Sequence, residues 1–408
     1  MNVPSGTGKL SVLLQRFGSW YSFAAVTLFS TLLLFVLFNV ALAVAFYFRG
    51  PEPGKPSGQL PNYPEEALRA VYPGFTREER TLLLTESWTR PYEYDDFVHF
   101  KERAFQGKYV NVSPVGFRFS KDQGPWPLQT SNLNVFVFGG STAFGYGLAD
   151  HQTIASYLQE QLSGAMKEKV CVYNFGTGWY YSTQERILFE RLLSSGHQPD
   201  IAIFIDGFNE CWRYDDTPPF RENFETVFRE GGGSALEPFI ARTPTGRLLR
   251  GLRRKMTRAG ADFLQKRDEK IKGQIDRYLR KKSLIDGMCR ELSITPIFVW
   301  QPVPEYKYEM KYHLFVEGGK NYKEHLYGYG EMLKYYQRGL CGSNFLWCAD
   351  LQQDEKECLY VDANHYTARF CEKIAQNIAQ MASKAGLLDR FKASKSSGNA
   401  PSIGGTQQ

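Results

Sequence analysis

The chain has seven cysteines but no Cys-x-x-Cys pair, so it lacks the ligand spacing of the common zinc modules, and no metal is expected. It has six histidines in 408 residues, His99, His151, His197, His313, His325 and His365, which leaves few candidates for a catalytic base. No segment recurs at a fixed period. No charged residue stands between Phe17 and Phe48, and the part from Phe23, FAAVTLFSTLLLFVLFNVALAVAFYF, is 26 residues long. About 20 apolar residues span a bilayer as a helix. A secretory signal has an apolar core of roughly 7 to 15 residues and a small-residue cleavage site. Here Phe46, Tyr47 and Phe48 stand where that site would fall. Residues 17–48 are therefore expected to be an uncleaved transmembrane anchor, with the lipid bilayer as partner, behind a tail of residues 1–16. Lys9 and Arg16 on one flank and Arg49, Lys55 and Arg69 on the other leave orientation open by charge. A cytoplasmic N terminus with an extracytoplasmic domain, periplasmic or at the cell surface, is the expected arrangement, being the commoner one for a single N-terminal anchor. Outside the cytoplasm, one or two disulfides among Cys341, Cys348, Cys358 and Cys371 could staple that region, with the pairing left open.

Residues 49–64 are rich in Pro and Gly and are expected to be a linker. The tail 391–408 is low in complexity and is expected to be disordered. Between them, 65–390 reads as one folded domain. Residues 65–129 show no sustained period. From Asn134 the pattern is regular: NVFVFGG, KVCVYNFG, DIAIFIDG, ITPIFVWQP and NFLWCADL read as strands. His151–Leu162, Ser182–Gly196 and Thr367–Gly386 read as helices, the second with a capping box of Ser182 and Glu185. Continuous apolar strands alternating with helices predict an α/β fold: a three-layer α/β/α sandwich around a mainly parallel five-stranded sheet. An insertion at about 212–283 breaks the rhythm. Its part from Arg242 to Lys282 carries a net +11, against +6 for the whole chain.

The stretch NVFVFGGSTAFGYG ends the first of these strands. Gly140 and Gly145 have the gap of a phosphate-binding loop, but Tyr146 and Gly147 stand where Lys and Ser or Thr are needed. The hydrolase elbow Gly-x-Ser-x-Gly fails too, because Ala143 follows Thr142. A nucleophilic Ser141 would need a base, and the base an orienting carboxylate. Asp362-Ala363-Asn364-His365 offers both at a three-residue spacing that one turn presents on one side. An incidental histidine near a helix cap reads equally well from the spacing alone. Gly178, through its backbone N–H, and Asn209, through its amide, follow the second and third strands and are candidate oxyanion donors. Each alone is commonly just a turn residue. In a parallel sheet all these loops share the carboxyl edge, where ligands bind.

The four blocks FGGSTAFGYG, NFGTGWYYSTQE, IDGFNE and DANH, in that order, resemble the SGNH/GDSL hydrolase superfamily. The upstream YVNVSPVGFRF resembles a lead-in of its membrane-anchored bacterial members. The resemblance covers roughly 134–385 and implies a flavodoxin-like SGNH fold and a Ser-His-Asp triad of Ser141, His365 and Asp362. The oxyanion hole would be the Ser141 and Gly178 N–H groups and Asn209. Gly140 replaces the usual Asp of the first block, and Glu210 the usual Asp of the third. The implied activity is serine esterase chemistry on an acyl ester, such as acetyl, of a cell-envelope glycan or similar substrate, without a cofactor. An O-acyltransferase using a polysaccharide hydroxyl, or a silent scaffold of a polysaccharide assembly, are the alternatives. The basic insertion reads as a solvated helix, a membrane-surface helix or a groove for an acidic glycan. Nucleic acid is not an expected partner of an anchored extracytoplasmic domain.

Overall fold

The computed structural model describes residues 7–49, 63–212, 216–217, 243–246, 248–249, 267–315 and 323–392. Most of the expected linker 49–64, basic insertion 212–283 and tail 391–408 lies outside the described residues. The chain divides into two compact units, 1–55 with 220–265, and 56–219 with 266–408. In the first, helix α1 (Thr7–Arg49) contains the apolar, unburied stretch Arg16–Phe46, long enough to cross a membrane. Asn39 Oδ1 on α1 accepts hydrogen bonds from Thr245 N and Oγ1, at 3.1 and 2.9 Å.

The second unit begins with the segment that has no sequence period. It folds as α2 (Glu65–Val71), α3 (Arg77–Trp88) and two small antiparallel pairs. These are β1 (Tyr92–Asp95) with β2 (His99–Glu102), and β3 (Phe105–Gln106) with β4 (Asn111–Val112). Thr76 and Glu79 form the reciprocal capping box that starts α3.

The sheet follows: β5 (Leu133–Gly139), α4 (Ser141–Phe144), α5 (Ile154–Ser163), β6 (Val170–Asn174), α6 (Ser182–Ser194), β7 (Ile201–Asp206), α7 (Arg267–Glu291), β8 (Thr295–Trp300), α8 (Lys323–Gln337), β9 (Phe345–Trp347) and α9 (Ala368–Lys384). Its order is β6-β5-β7-β8-β9 and every pair is parallel. Both faces are covered, which is why the strands carry no polar alternation. The alternation is instead aliphatic against aromatic. Val135, Val137, Val172, Ile203, Ile205, Ile297 and Val299 face the apolar stripes of α5 and α9. Phe136, Phe138, Tyr173, Phe204, Phe298 and Trp300 face α6, α7 and α8. Phe138, Phe204 and Phe298 stack in register across three strands, with centroids 4.9 and 5.3 Å apart. The sandwich is the expected three-layer α/β/α architecture.

Three expectations need correction. The part of the insertion from Arg267 is not an excursion: Ile271, Ile275 and Tyr278 of α7 are buried in the aromatic layer. All seven cysteines are free thiols. Cys341 lies in the aromatic layer and Cys348 and Cys371 in the aliphatic one, so the sheet separates Cys341 from both. The capping box at Ser182 is absent. Tyr181 is the N-cap, Ser182 N donates to Glu210 Oε1 (2.8 Å), and Glu185 is buried beside Asp206 and Glu210. A tertiary carboxylate has displaced the local one.

Burial and then Glu210 push Glu185 well above the ordinary carboxyl range, with the Asp206 hydrogen bond and Lys281 opposing, and burial with Glu185 and Glu210 does the same to Asp206. The folded state therefore holds protons that the unfolded chain releases. The stability they contribute is full below the ordinary carboxyl range and is lost as pH rises toward the raised folded values. Asp206→Asn is expected to flatten that decline, read as a weaker pH dependence of the denaturation midpoint.

Candidate active site

The order β6-β5-β7 makes the gap between β5 and β7 the point where the winding of the sheet reverses, the usual place for a ligand. Ser141 follows β5 and Asn209 follows β7 at that edge. The turn into α4 needs small residues. Gly139 has φ +154°, and a Cβ there would stand 2.8 Å from Ile205 O. A Cβ on Gly140 would stand 2.5 Å from Asn209 Nδ2. Any larger side chain here would require Asn209 to shift. Ser141 is the half-buried first residue of the single turn α4, so its N–H heads an unsatisfied helix start.

Arg118, wholly buried, fastens the chain after that turn. It donates to the carbonyls of Phe144 (3.0 Å), Gly145 (2.7 Å) and Leu148 (2.5 Å) and to Asp150 Oδ1 (2.9 Å). Asn111 Nδ2 donates to the other oxygen of Asp150. Arg118→Met removes the buried cation that ties three carbonyls to Asp150, which keeps only its Asn111 hydrogen bonds from these partners. It is expected to cost about 3–5 kcal/mol of stability, as for other broken buried pairs, read by chemical denaturation.

Asp362 and His365 sit in a tight loop before α9. Val361 N donates to His365 O (2.8 Å), and Thr367 caps α9 through Phe370 N. Asp362 Oδ1 accepts from Asn364 N (2.9 Å) and His365 N (2.8 Å), and His365 Nδ1 lies 2.7 Å from Asp362 Oδ2 and 2.9 Å from Oδ1. A carboxylate only accepts, so Nδ1 carries a proton, and in the neutral ring Nε2 holds the lone pair. Burial opposes ionisation of Asp362, but the His365 charge, its ring N–H and the two backbone N–H groups together hold the carboxyl below the ordinary Asp value. His365 Nε2 is buried and has no hydrogen bond among the described residues. None joins it to Ser141 Oγ. The two loops are instead linked by Gln301, whose Oε1 accepts from Thr142 Oγ1 (2.6 Å) and Tyr366 Oη (3.0 Å).

After β7, Asn209 Nδ2 donates to Tyr180 O (2.6 Å) and retains a second hydrogen. Asn174 Nδ2 donates to Ala143 O (2.9 Å), and Thr177 N to Gly139 O (3.0 Å), tying the loop after β6 to the turn at Ser141. The Gly178 N–H is engaged: it donates to Glu102 Oε1 at 3.2 Å.

Four contributors were not foreseen from the sequence. Trp88 presents its ring edge-on to His365 at 5.2 Å, and Tyr146 lies 5.7 Å from His365. Glu102 and Gln301 complete the set. Trp88 and Glu102 come from the segment without a period, so no local pattern marks them. Tyr146 lies inside the motif after β5, at the position that a phosphate-binding loop would give to lysine.

No protein-family model and no curated protein matches the chain. Among solved structures it is similar to the acetyl xylan esterase AlAXEase, at TM-score 0.34 and 11% identity over 60% of this chain and 98% of that one. Axe2, an acetylxylan esterase from Geobacillus stearothermophilus, gives TM-score 0.35 and 12% identity over 62% and 94%. A protein assigned to the lipolytic G-D-S-L family from Desulfitobacterium hafniense DCB-2 gives 0.30 and 14% over 62% and 99%. Likeness at this level assigns no residue of this chain a role.

Proposed function

We propose that the chain is a membrane-anchored serine esterase of the SGNH type. Ser141 is the nucleophile, His365 the general base and acid, and Asp362 the group that orients His365. One observation supports this most: His365 has Nδ1 held by a buried carboxylate and Nε2 left as a buried acceptor. That acceptor belongs to the same sheet edge as a serine at a helix start. Nε2 takes the Ser141 proton as Oγ attacks the ester carbonyl. The oxyanion is met by Ser141 N–H and the free hydrogen of Asn209 Nδ2. Gly178 N–H would join them only after leaving Glu102. His365 then protonates the departing alcohol, and water resolves the acyl-enzyme.

The substrate class proposed is an acyl ester, acetyl in the simplest case, of a cell-envelope glycan. Two features support it: an apolar helix fit to cross a membrane, and Trp179, 36% exposed beside Gly178 with φ +70°, whose indole suits a sugar ring. The proposed topology has the N terminus cytoplasmic and the folded unit extracytoplasmic. The test is full-length protein in detergent with an acetylated oligosaccharide and an unacetylated acceptor. Free acetate supports the esterase, and acetylated acceptor would reassign the same residues to an acyltransferase. Neither product would leave the scaffold alternative.

A further inference from the structure

Glu102 ends β2 and is 1% exposed. Its Oε1 accepts from Gly178 N (3.2 Å) and Tyr146 Oη (2.8 Å), and its Oε2 from Arg90 Nη1 (3.0 Å). Arg90 donates in addition to Glu86 O (2.7 Å) and lies over the Phe144 ring at 4.7 Å. Glu86 in turn accepts from the backbone N–H groups of Lys108, Tyr109 and Val110. The region without sequence pattern thus delivers a fully hydrogen-bonded carboxylate to the loop after β6.

We propose that Glu102 is a positioning residue for the site, one that removes Gly178 from the oxyanion donor set and fixes Asn209 through the loop. This rests on the esterase reading. An amide that donates to a carboxylate cannot also receive an oxyanion, because two like charges would share one N–H in a poorly screened place. The hole therefore consists of Ser141 N–H and Asn209 Nδ2. The second of these depends on Glu102. Gly178 stands between Thr177, whose N–H is tied to Gly139 O, and Tyr180, whose carbonyl accepts from Asn209 Nδ2. Releasing Gly178 lets Tyr180 O move, and Asn209 with it. Glu102 also pins Tyr146, which stands at the face of His365. Stability alone is a weak account of such a pair, because buried ion pairs are often no better than apolar replacements.

The test uses full-length protein in detergent, p-nitrophenyl acetate as the ester, and a fluorophosphonate to count competent serines. Glu102→Gln keeps the size but cannot accept from all three converging donors. We expect its kcat per titrated site to fall about 10- to 100-fold, in line with a small misplacement of a catalytic group, with KM within about threefold. The control is Lys282→Met. It breaks a buried contact to Asp286 and Asn344 at the opposite, amino-terminal edge of the sheet. It is expected to lower the melting temperature and leave kcat per site unchanged. A Glu102→Gln kcat within threefold of wild type would overturn the proposal. So would a fall matched by Lys282→Met, or a rise, which would make the carboxylate a block. A wild-type protein that neither turns over the ester nor titrates would overturn the esterase reading itself, and this proposal with it.

Discussion

Ser141→Ala is expected to abolish ester turnover, lowering kcat by at least about 10⁴-fold while leaving the fold intact. The size follows from the chemistry: without Oγ there is no acyl-enzyme, and what survives is the modest rate that the oxyanion donors alone lend to water. The fold should tolerate the change, because Ser141 is half-buried and its side chain makes no hydrogen bond among the described residues. Alanine also suits a helical turn. Initial rates with p-nitrophenyl acetate and a circular dichroism melt of the same preparation check both halves. A variant that keeps wild-type turnover would place the nucleophile elsewhere.

Asp362→Asn is expected to be nearly as damaging, about 10⁴-fold in kcat, for a subtler reason. An asparagine Oδ1 can still accept from Asn364 N and His365 N, so the tight loop survives. Its Nδ2, however, replaces the oxygen nearer His365 Nδ1, at 2.7 Å against 2.9 Å for Oδ1. A ring that accepts from this donor carries its proton on Nε2, the atom that should take the Ser141 proton. The expected result is an inactive protein whose denaturation midpoint changes far less than its rate. If turnover survives, Asp362 is a loop-holding residue and no more.

The sheet was legible because both of its faces are buried. Val135, Phe136, Val137 and Phe138 read as one apolar run, and short runs of that kind separated by helices have few solutions. The Asp362–His365 pair was legible because its geometry is local, three residues within one turn. What was not legible is held by distance. Glu102 is 76 residues from Gly178, and Gln301 is 159 from Thr142. Nothing in the spacing of either announces a partner. The Ser182–Glu185 capping box shows the opposite failure. The local signal was present, but Glu210 reached Ser182 N from the next loop and left Glu185 to the buried carboxyl cluster. The cysteines misled for a similar reason: 31 residues is close in sequence, yet a sheet stands between Cys341 and both Cys348 and Cys371. In the basic insertion, charge dominated the pattern and concealed that Ile271, Ile275 and Tyr278 belong to a layer helix.

The most direct test of the central claim is to map the adduct of a fluorophosphonate probe on the wild-type protein by peptide mass spectrometry. The account predicts one phosphonyl group per chain on the peptide containing Ser141. Labelling should be lost in Ser141→Ala and slowed in Asp362→Asn. An adduct on any other serine, or none on a folded and membrane-inserted chain, would contradict it.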